Sequence, residues 1–265
     1  MMRFSIGSDP EMFTVKNGVV SSVAGLLGCS KSEKLHLSER VRLQEDNVLA
    51  EFDINPCVGF DQFNEVMQEG LDLTQALLEK HGLEIATGVS SHIFSSAELN
   101  SFHKSAFEFG CTPDFNAFTG RQNASPTSQD PGLRTAGGHI HIGYAEAVRV
   151  DRQSQLTAGC LCDYFLSLPA MFEDNDTRRK ELYGKAGAIR YKEYGIEYRS
   201  LGNFWTFTEN LRRMVFDQTS KVVHNLSTDK LVELNSILPV QRLQEIINAN
   251  DRRTADSYLA RLNII

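Results

Sequence analysis

Apolar residues in the first part of the chain fall in short runs and alternations, the two-residue period of β-strands. Residues 3–6 form a brief apolar run, and residues 12–15 and Val19-Val20 flank Lys16-Asn17-Gly18. Asn-Gly supplies the positive-φ residues of a tight turn, so this stretch is expected to be a β-hairpin. A second hairpin is expected from Val41-Arg42-Leu43 through the polar turn Glu45-Asp46-Asn47 into residues 48–54, with Pro56 and Gly59 ending it. The period then changes. Phe63, Val66, Met67, Leu71, Leu73, Leu77 and Leu78 recur near every 3.6 residues, which predicts a helix over 60–81 stopped by Gly82. Residues 83–94 read as a strand and 96–109 as a short helix. Residues 112–138, rich in Pro, Asn, Ser, Thr and Gly, read as a long ordered loop, the kind usually tied to function. A strand follows at 137–144, a helix with an apolar face at 151–172, and two strands at 186–191 and 195–201 around a Lys-Glu-Tyr turn. Beyond Phe204-Trp205 the pattern is helical, at 208–226, 231–237, 240–248 and 253–262. The sequence has neither an internal repeat nor a linker. We therefore expect one α+β catalytic domain over 1–265, with a sheet-based core to about 206 and a helical extension from about 207 packed on it.

Composition narrows the class. A chain of 265 residues, 41% hydrophobic and 23% charged, is long enough to bury a sizeable core. The net charge of −7 argues against nucleic acid as a partner, because phosphate binding needs a basic field. No run reaches the ~18 apolar residues needed to span a bilayer, and the first residues lack the apolar segment of a secretory signal. Cys29, Cys57, Cys111, Cys160 and Cys162 form no CxxC pair, so each thiol reads as a small core residue of a cytoplasmic protein.

Against this ordinary background one feature repeats. Side chains at i and i+2 of a strand share a face, and four expected strands carry a polar pair at that spacing. The pairs are Asp9 and Glu11, Glu51 and Asp53, His139 and His141, and Glu197 and Arg199, set among apolar neighbours. One such pair describes the solvated face of a half-exposed sheet. Four pairs dominated by Asp, Glu and His describe something else, since these are the oxygen and imidazole donors that divalent cations take. Carboxylates at that density repel one another unless cations lie among them, so the expectation is an acidic floor that holds Mg²⁺ or Mn²⁺. Asp53 has a second reading, because Asp-Ile-Asn-Pro also turns a chain. His139-Ile140-His141 alone would also suit a zinc hydrolase, but the excess of carboxylates and the absence of HExxH argue against one.

Arginines and a lysine extend the picture. Arg199 shares a strand face with Glu197, Arg190 lies on the preceding strand, Arg134 precedes Thr135-Ala136-Gly137-Gly138, and Lys31 ends Gly28-Cys29-Ser30-Lys31. Cations beside a carboxylate-bound metal are what phosphoryl transfer needs. Walker, GxGxxG and GxSxG signatures are absent, so the sheet itself would have to hold the phosphates of a nucleotide.

At these same residues the sequence resembles the carboxylate–amine ligases of the glutamine synthetase and glutamate–cysteine ligase superfamily, and more narrowly the phage-associated COOH.NH2 ligase-type amidoligases. The resemblance runs over most of residues 4–205. Its pieces are Gly7-Ser8-Asp9-Pro10-Glu11, Gly28-Cys29-Ser30-Lys31, Ala50-Glu51-Phe52-Asp53-Ile54-Asn55-Pro56, Gly110-Cys111-Thr112-Pro113-Asp114-Phe115-Asn116-Ala117, Arg134 to Gly143, and Glu197-Tyr198-Arg199-Ser200-Leu201-Gly202. It implies a curved, mainly antiparallel sheet with helices on its outer face and Mg²⁺ with ATP on its concave one. It implies phosphorylation of a substrate carboxylate and capture of the acyl phosphate by an amine. On that pattern Glu11, Glu51 and Glu197 resemble metal ligands, and Asp9 with His139 or His141 completes the shell or meets phosphate. Glu51 is also placed at the catalytic centre. Arg199 resembles the arginine that stabilises the transferred phosphoryl group, helped by Arg134, with Lys31 and Arg190 toward the nucleotide. Asp9 stands where many relatives have glutamate, and Cys29 where phage-type relatives often have glycine. Asp53, Asp114 and Asn116 are the candidates for substrate contact. Implied partners are small-molecule or peptide carboxylates and amines, in host cytoplasm if the source is a phage. The helices beyond 208 match nothing nameable and read as packing or homo-oligomer contacts. The competing reading of the same residues is a metal-dependent hydrolase or phosphoesterase; a third is a non-catalytic metal or nucleotide binder.

Overall fold

A computed structural model describes residues 3–107, 114–125, 129–176 and 178–264. Strands β1 (Ser5–Met12), β2 (Thr14–Lys16), β3 (Val19–Ser21), β4 (Leu35–His36), β5 (Val41–Asp46) and β6 (Leu49–Ile54) precede helix α1 (Phe60–Glu79). Next come β7 (Glu84–Ile85), β8 (Ser91–Ile93), α2 (Ser96–Ser101), β9 (Phe115–Asn116), β10 (Leu133–Thr135) and β11 (Gly138–Gly143). Helices α3 (Arg152–Cys162), α4 (Leu168–Glu173) and α5 (Arg179–Leu182) lead to β12 (Ala188–Lys192) and β13 (Gly195–Tyr198). Four helices follow: α6 (Glu209–Asn225), α7 (Lys230–Ile237), α8 (Val240–Asn248) and α9 (Arg252–Leu262).

Eight strands join in one sheet, in the order β4-β5-β6-β1-β11-β13-β12-β9, and each pairing is antiparallel. The expected α+β class with a mainly antiparallel sheet is what forms. Both hairpins form too. Asn17 (φ 52°) and Gly18 (φ 79°) turn β2 into β3. The second turn is tighter than its polarity suggested. Asn47 takes the left-handed conformation (φ 58°), and its Oδ1 accepts the Val48 N–H. Glu45 and Asp46 therefore stay in β5, and the ladder runs out to Asp46 opposite Leu49.

Several boundaries differ from expectation. Residues 83–94 are not one strand: β7 pairs with β2, β8 pairs with β10, and Gly88 (φ 76°) turns the chain between them. Helix α2 starts at a Ser95–Glu98 capping box but ends at Ser101, because Phe102 is extended. Residues 108 and 109 of the expected helix lie outside the described residues. The expected loop contains β9 and β10; its residues 112, 113 and 126–128 lie outside the described residues, as do Gly110 and Cys111. The helix expected over 151–172 is interrupted by a π-turn at Asp163–Ser167. This wider turn surrounds a buried carboxylate. Asp163 accepts hydrogen bonds from Gly187 N–H (2.7 Å), Tyr198 Oη (2.7 Å) and Gln244 Nε2 (2.8 Å). Strand β4 and helix α5 went unread because neither is long enough to display a period.

Helices cover one face of the sheet. Helix α1 packs on β5 and β6, α3 on β12 and β13, and α6 on both helices. Between them Ile6, Phe52, Ile140, Ile196 and Tyr198 of the strands meet Phe63, Leu161 and Val215, and the same cluster reaches Leu243 and Leu262 in the C-terminal helices. Each such side chain contributes roughly 1.5–3 kcal/mol on burial. Gly70 of α1 permits the closest approach, since a Cβ there would lie 2.4 Å from the Phe52 ring. A smaller cluster of Phe13, Val48, Leu49, Phe94, Leu99 and Ala136 joins the β8–β10 ribbon and α2 to the β5–β6 turn. Cys29, Cys57, Cys160 and Cys162 are buried free thiols, as read from their spacing. Among the described residues no helix is long and apolar enough to cross a membrane.

Candidate functional site

Alternation sends the apolar residues of each strand toward α1 and α3 and the polar ones to the other face. Antiparallel register then sets the polar pairs side by side: Asp9 opposite His139, Glu11 opposite Glu51, and His141 opposite Glu197. All four pairs line one cavity of about 650 Å³. Its size falls within the usual range of ligand sites. Gly137 lets the parts close up, because a Cβ there would lie 2.5 Å from His139 Nε2 and 2.7 Å from Arg179 Nη2. Its N–H donates to Glu11 Oε2 at 2.6 Å.

The acidic groups form two triads. In one, Asp9, His141 and Glu197 bring donor atoms within 4.8 Å of one another; in the other, Glu11, Asp46 and Glu51 do the same. Their electrostatics differ. Burial, followed by the repulsion of Asp46, pushes Glu11 up to about 8 despite Arg199, the Gly137 N–H and Arg179. Burial and the repulsion of Asp9, Asp46 and Glu11 raise Glu51 well above the carboxylate range, and burial raises Asp46. In the first triad burial is outweighed by partners. His141 and His139 hold Asp9 well below its ordinary value, and Arg199 leads the pull that brings Glu197 down to about 2.

This donor set fits a hard divalent cation. The second triad is all oxygen with its carboxylates resisting ionisation, the condition a bound cation relieves. In the first, Asp9 Oδ1 is buried without a well-formed hydrogen bond, 3.2 Å from His141 Nε2 and 3.4 Å from His139 Nδ1.

Between the triads sit His139 and Arg199. Burial, with Arg199 next, lowers His139 to about 4, so it is a neutral imidazole near pH 7. Arg199 Nη1 donates to Glu197 and lies 3.3 Å from His139 Nδ1, while its Nε is 3.8 Å from Asp114 Oδ2. Glu197 also pairs with Arg190 (3.2 Å) and Lys192 (2.8 Å).

The remaining candidates are distributed unevenly. Lys31 lines the cavity from an exposed position. Asp53 lines it too, but Lys34 Nζ (2.6 Å) and Arg42 Nε (2.7 Å) hold its carboxylate. Arg134 reaches the wall, yet its guanidinium donates to Asn47 Oδ1 and to the carbonyls of Ala106, Pro131 and Leu133, so it laces the β8–β10 region to the β5–β6 turn. Asn116 is not brought to the cavity. Its amide donates to Gln244 Oε1 (2.9 Å) and accepts from the N–H groups of Phe118 and Thr119, which is a packing role.

Four residues of this site escaped the sequence. Asp46 reads as a turn residue in the sequence, although Gln44 and Asp46 repeat the i, i+2 signal on β5. Lys192 makes another such pair with Arg190, basic rather than acidic. Buried Arg179 comes from the short helix α5 and donates to the carbonyls of Ala136, Ser200 and Arg199, contacts that no local pattern announces. Tyr194, on the β12–β13 turn, meets His141 Nδ1 at 2.5 Å.

Three comparisons with known proteins differ in what they find. A search of curated proteins finds no match. One solved structure, described as a novel glutamine synthase homolog, aligns with 97% of this chain and 68% of its own at 12% identity, with a TM-score of 0.36. Residues 131–242 match the family model for phage phiEco32-like COOH.NH2 ligase-type 2. That matched segment carries His139, His141, Glu197 and Arg199, so the resemblance to a family of COOH.NH2 ligase type falls on the half of the site that they form.

Proposed function

We propose that the chain is an ATP-dependent carboxylate–amine ligase that forms an amide or peptide bond through an acyl phosphate. The observation that carries this reading is the pair of carboxylate-rich triads on one cavity floor with Arg199 between them. Mg²⁺ or Mn²⁺ held by Glu11, Asp46 and Glu51, and by Asp9, His141 and Glu197, would supply neutralisation of phosphate oxygens. The chain's own cations do the rest. Arg199, held by Glu197, points its guanidinium at the middle of the floor, where it meets charge developing on the transferred phosphoryl group without having to reorganise. Arg190 and Lys192 stand beside it on β12. Neutral His139 contributes a hydrogen bond rather than a charge. A cavity of about 650 Å³ has room to hold carboxylate, phosphate and amine side by side, which favours capture of the acyl phosphate by the amine over its hydrolysis. Lys31 at the rim suits the nucleotide, and Asp114, beside Arg199, suits the amine. Asp53 and Asn116 drop out as substrate contacts in this reading, since their polar atoms are already engaged.

The test is ADP release from mixtures of amino acids, peptides and amines with Mg²⁺. Release that requires both a carboxylate and an amine is the expected result. Hydrolysis of an amide or phosphoester without ATP would replace the ligase by a hydrolase.

A further inference from the structure

We propose that Tyr194 is a positioning residue that fixes the imidazole of His141 with its Nε2 lone pair turned into the Asp9–Glu197 triad. The inference rests on reading that triad as a cation site.

His141 is bracketed from two sides. Its Nδ1 lies 2.5 Å from the Tyr194 phenolic oxygen, and its Nε2 lies 3.2 Å from Asp9 Oδ1. A neutral imidazole carries one proton, so the ring nitrogen that donates decides which one keeps its lone pair. When His141 Nδ1–H donates to the phenolic oxygen, Nε2 is free to ligate. When the phenol donates to Nδ1 instead, Nε2 carries the proton toward Asp9 and is closed to a cation. Cation binding selects the first arrangement, and a hydroxyl permits it because it accepts as well as donates. Metal-bound histidines characteristically donate their second N–H to an oxygen acceptor, the role the phenolic oxygen fills here.

The neighbouring histidine lacks this device. His139 Nδ1 faces Asp9 (3.4 Å) and Arg199 (3.3 Å), and its Nε2 is 4.0 Å from Glu11 Oε1. Both of its nitrogens look into the charged floor, and among the described residues neither is paired with a hydroxyl or a carbonyl. The contrast separates two histidines that the sequence presents as equivalent.

The turn that carries Tyr194 is firmly placed. Its carbonyl accepts the Tyr144 N–H at 3.0 Å, and its ring packs on His141 with centroids 6.2 Å apart. Gly195 brings the turn close to β11, since a Cβ there would lie 2.1 Å from the Ile142 carbonyl oxygen. Removing only the hydroxyl therefore leaves the backbone and the ring contact in place.

The experiment is Mn²⁺ titration calorimetry on full-length Tyr194→Phe and wild type, with ¹⁵N NMR of the histidine rings in the Mg²⁺-loaded proteins. We expect the variant to bind Mn²⁺ about 10-fold or more weakly at one site. We expect His141 of the wild type to carry its proton on Nδ1, and the variant to show protonated Nε2. Tyr194→Gln, whose amide oxygen also accepts, should recover part of the affinity. Unchanged affinity and ring state in Tyr194→Phe would overturn the proposal while leaving the cation site standing. A wild type that takes up no Mn²⁺ would overturn the cation reading and this inference with it.

Discussion

Burial and neighbouring charges together set the protonation of the buried carboxylates of the floor, and Glu11 is the clearest case. Its folded pKa of about 8 stands above the ordinary 4.5, so between those values the folded protein binds a proton that the unfolded chain has released. Stability contributed this way is present at low pH and lost as pH rises through that window, by about 1.4 kcal/mol for each pH unit crossed. Glu11→Gln keeps an oxygen for the Gly137 N–H and removes the ionisation. The metal-free variant is therefore expected to melt higher than wild type at pH 8, with the gap closing near pH 5, and to lose one site in Mn²⁺ titration. Equal melting at pH 8 would contradict the assignment. Arg199 is the residue on which the chemistry turns. Arg199→Ala should lower ADP-forming turnover by at least about 10²-fold, the usual cost of losing one preorganised donor. Near-normal turnover would remove Arg199 from the centre of the site. These roles were legible in part: the i, i+2 pairs identified the acids, but which would ionise depended on the Glu11–Glu51 register across β1 and β6.

At the scale of elements, strand alternation does most of the work, because one period sends Phe52 and Ile54 to the helices and Glu51 and Asp53 to the cavity. The floor is therefore only as well placed as the packing behind it. Gly70 is where α1 approaches β6 most tightly, and Gly70→Ala would press a methyl into the Phe52 ring. Alanine favours a helix by up to about 1 kcal/mol over glycine, but overpacking a core typically costs about 1–3 kcal/mol. Chemical denaturation should show a net loss of stability, and a gain would mean that Phe52 shifts freely. Elements with a full period, such as α1, β5, β6 and β11, were readable from the chain. Those below one period were not: β4, β9 and α5 exist because neighbours complete them. The π-turn at Asp163 was equally hidden, since its reason lies in Gly187, Tyr198 and Gln244.

For the whole molecule, the acidic floor couples cation binding to stability. The metal-free fold carries the repulsion of Glu11, Asp46 and Glu51, and a cation that binds the folded chain alone stabilises it by mass action. Adding Mg²⁺ should raise the melting temperature more at pH 8 than at pH 5, because ligation needs ionised carboxylates and protons compete for the raised ones. A melting response independent of pH would contradict the site. The sequence by itself determined the α+β class, the antiparallel pairing of two hairpins, and the residue types that face the cavity, because those follow from period and turn chemistry within a few residues. Only the tertiary structure decided how these residues were divided. Register sorted them into two triads, brought Asp46 and Arg179 among them, withdrew Asn116 into packing and gave Arg134 to backbone carbonyls. Such divisions depend on distances between separate segments, as between Glu11 and Glu51 or between Asn116 and Gln244, and charge interacts through space rather than along the chain.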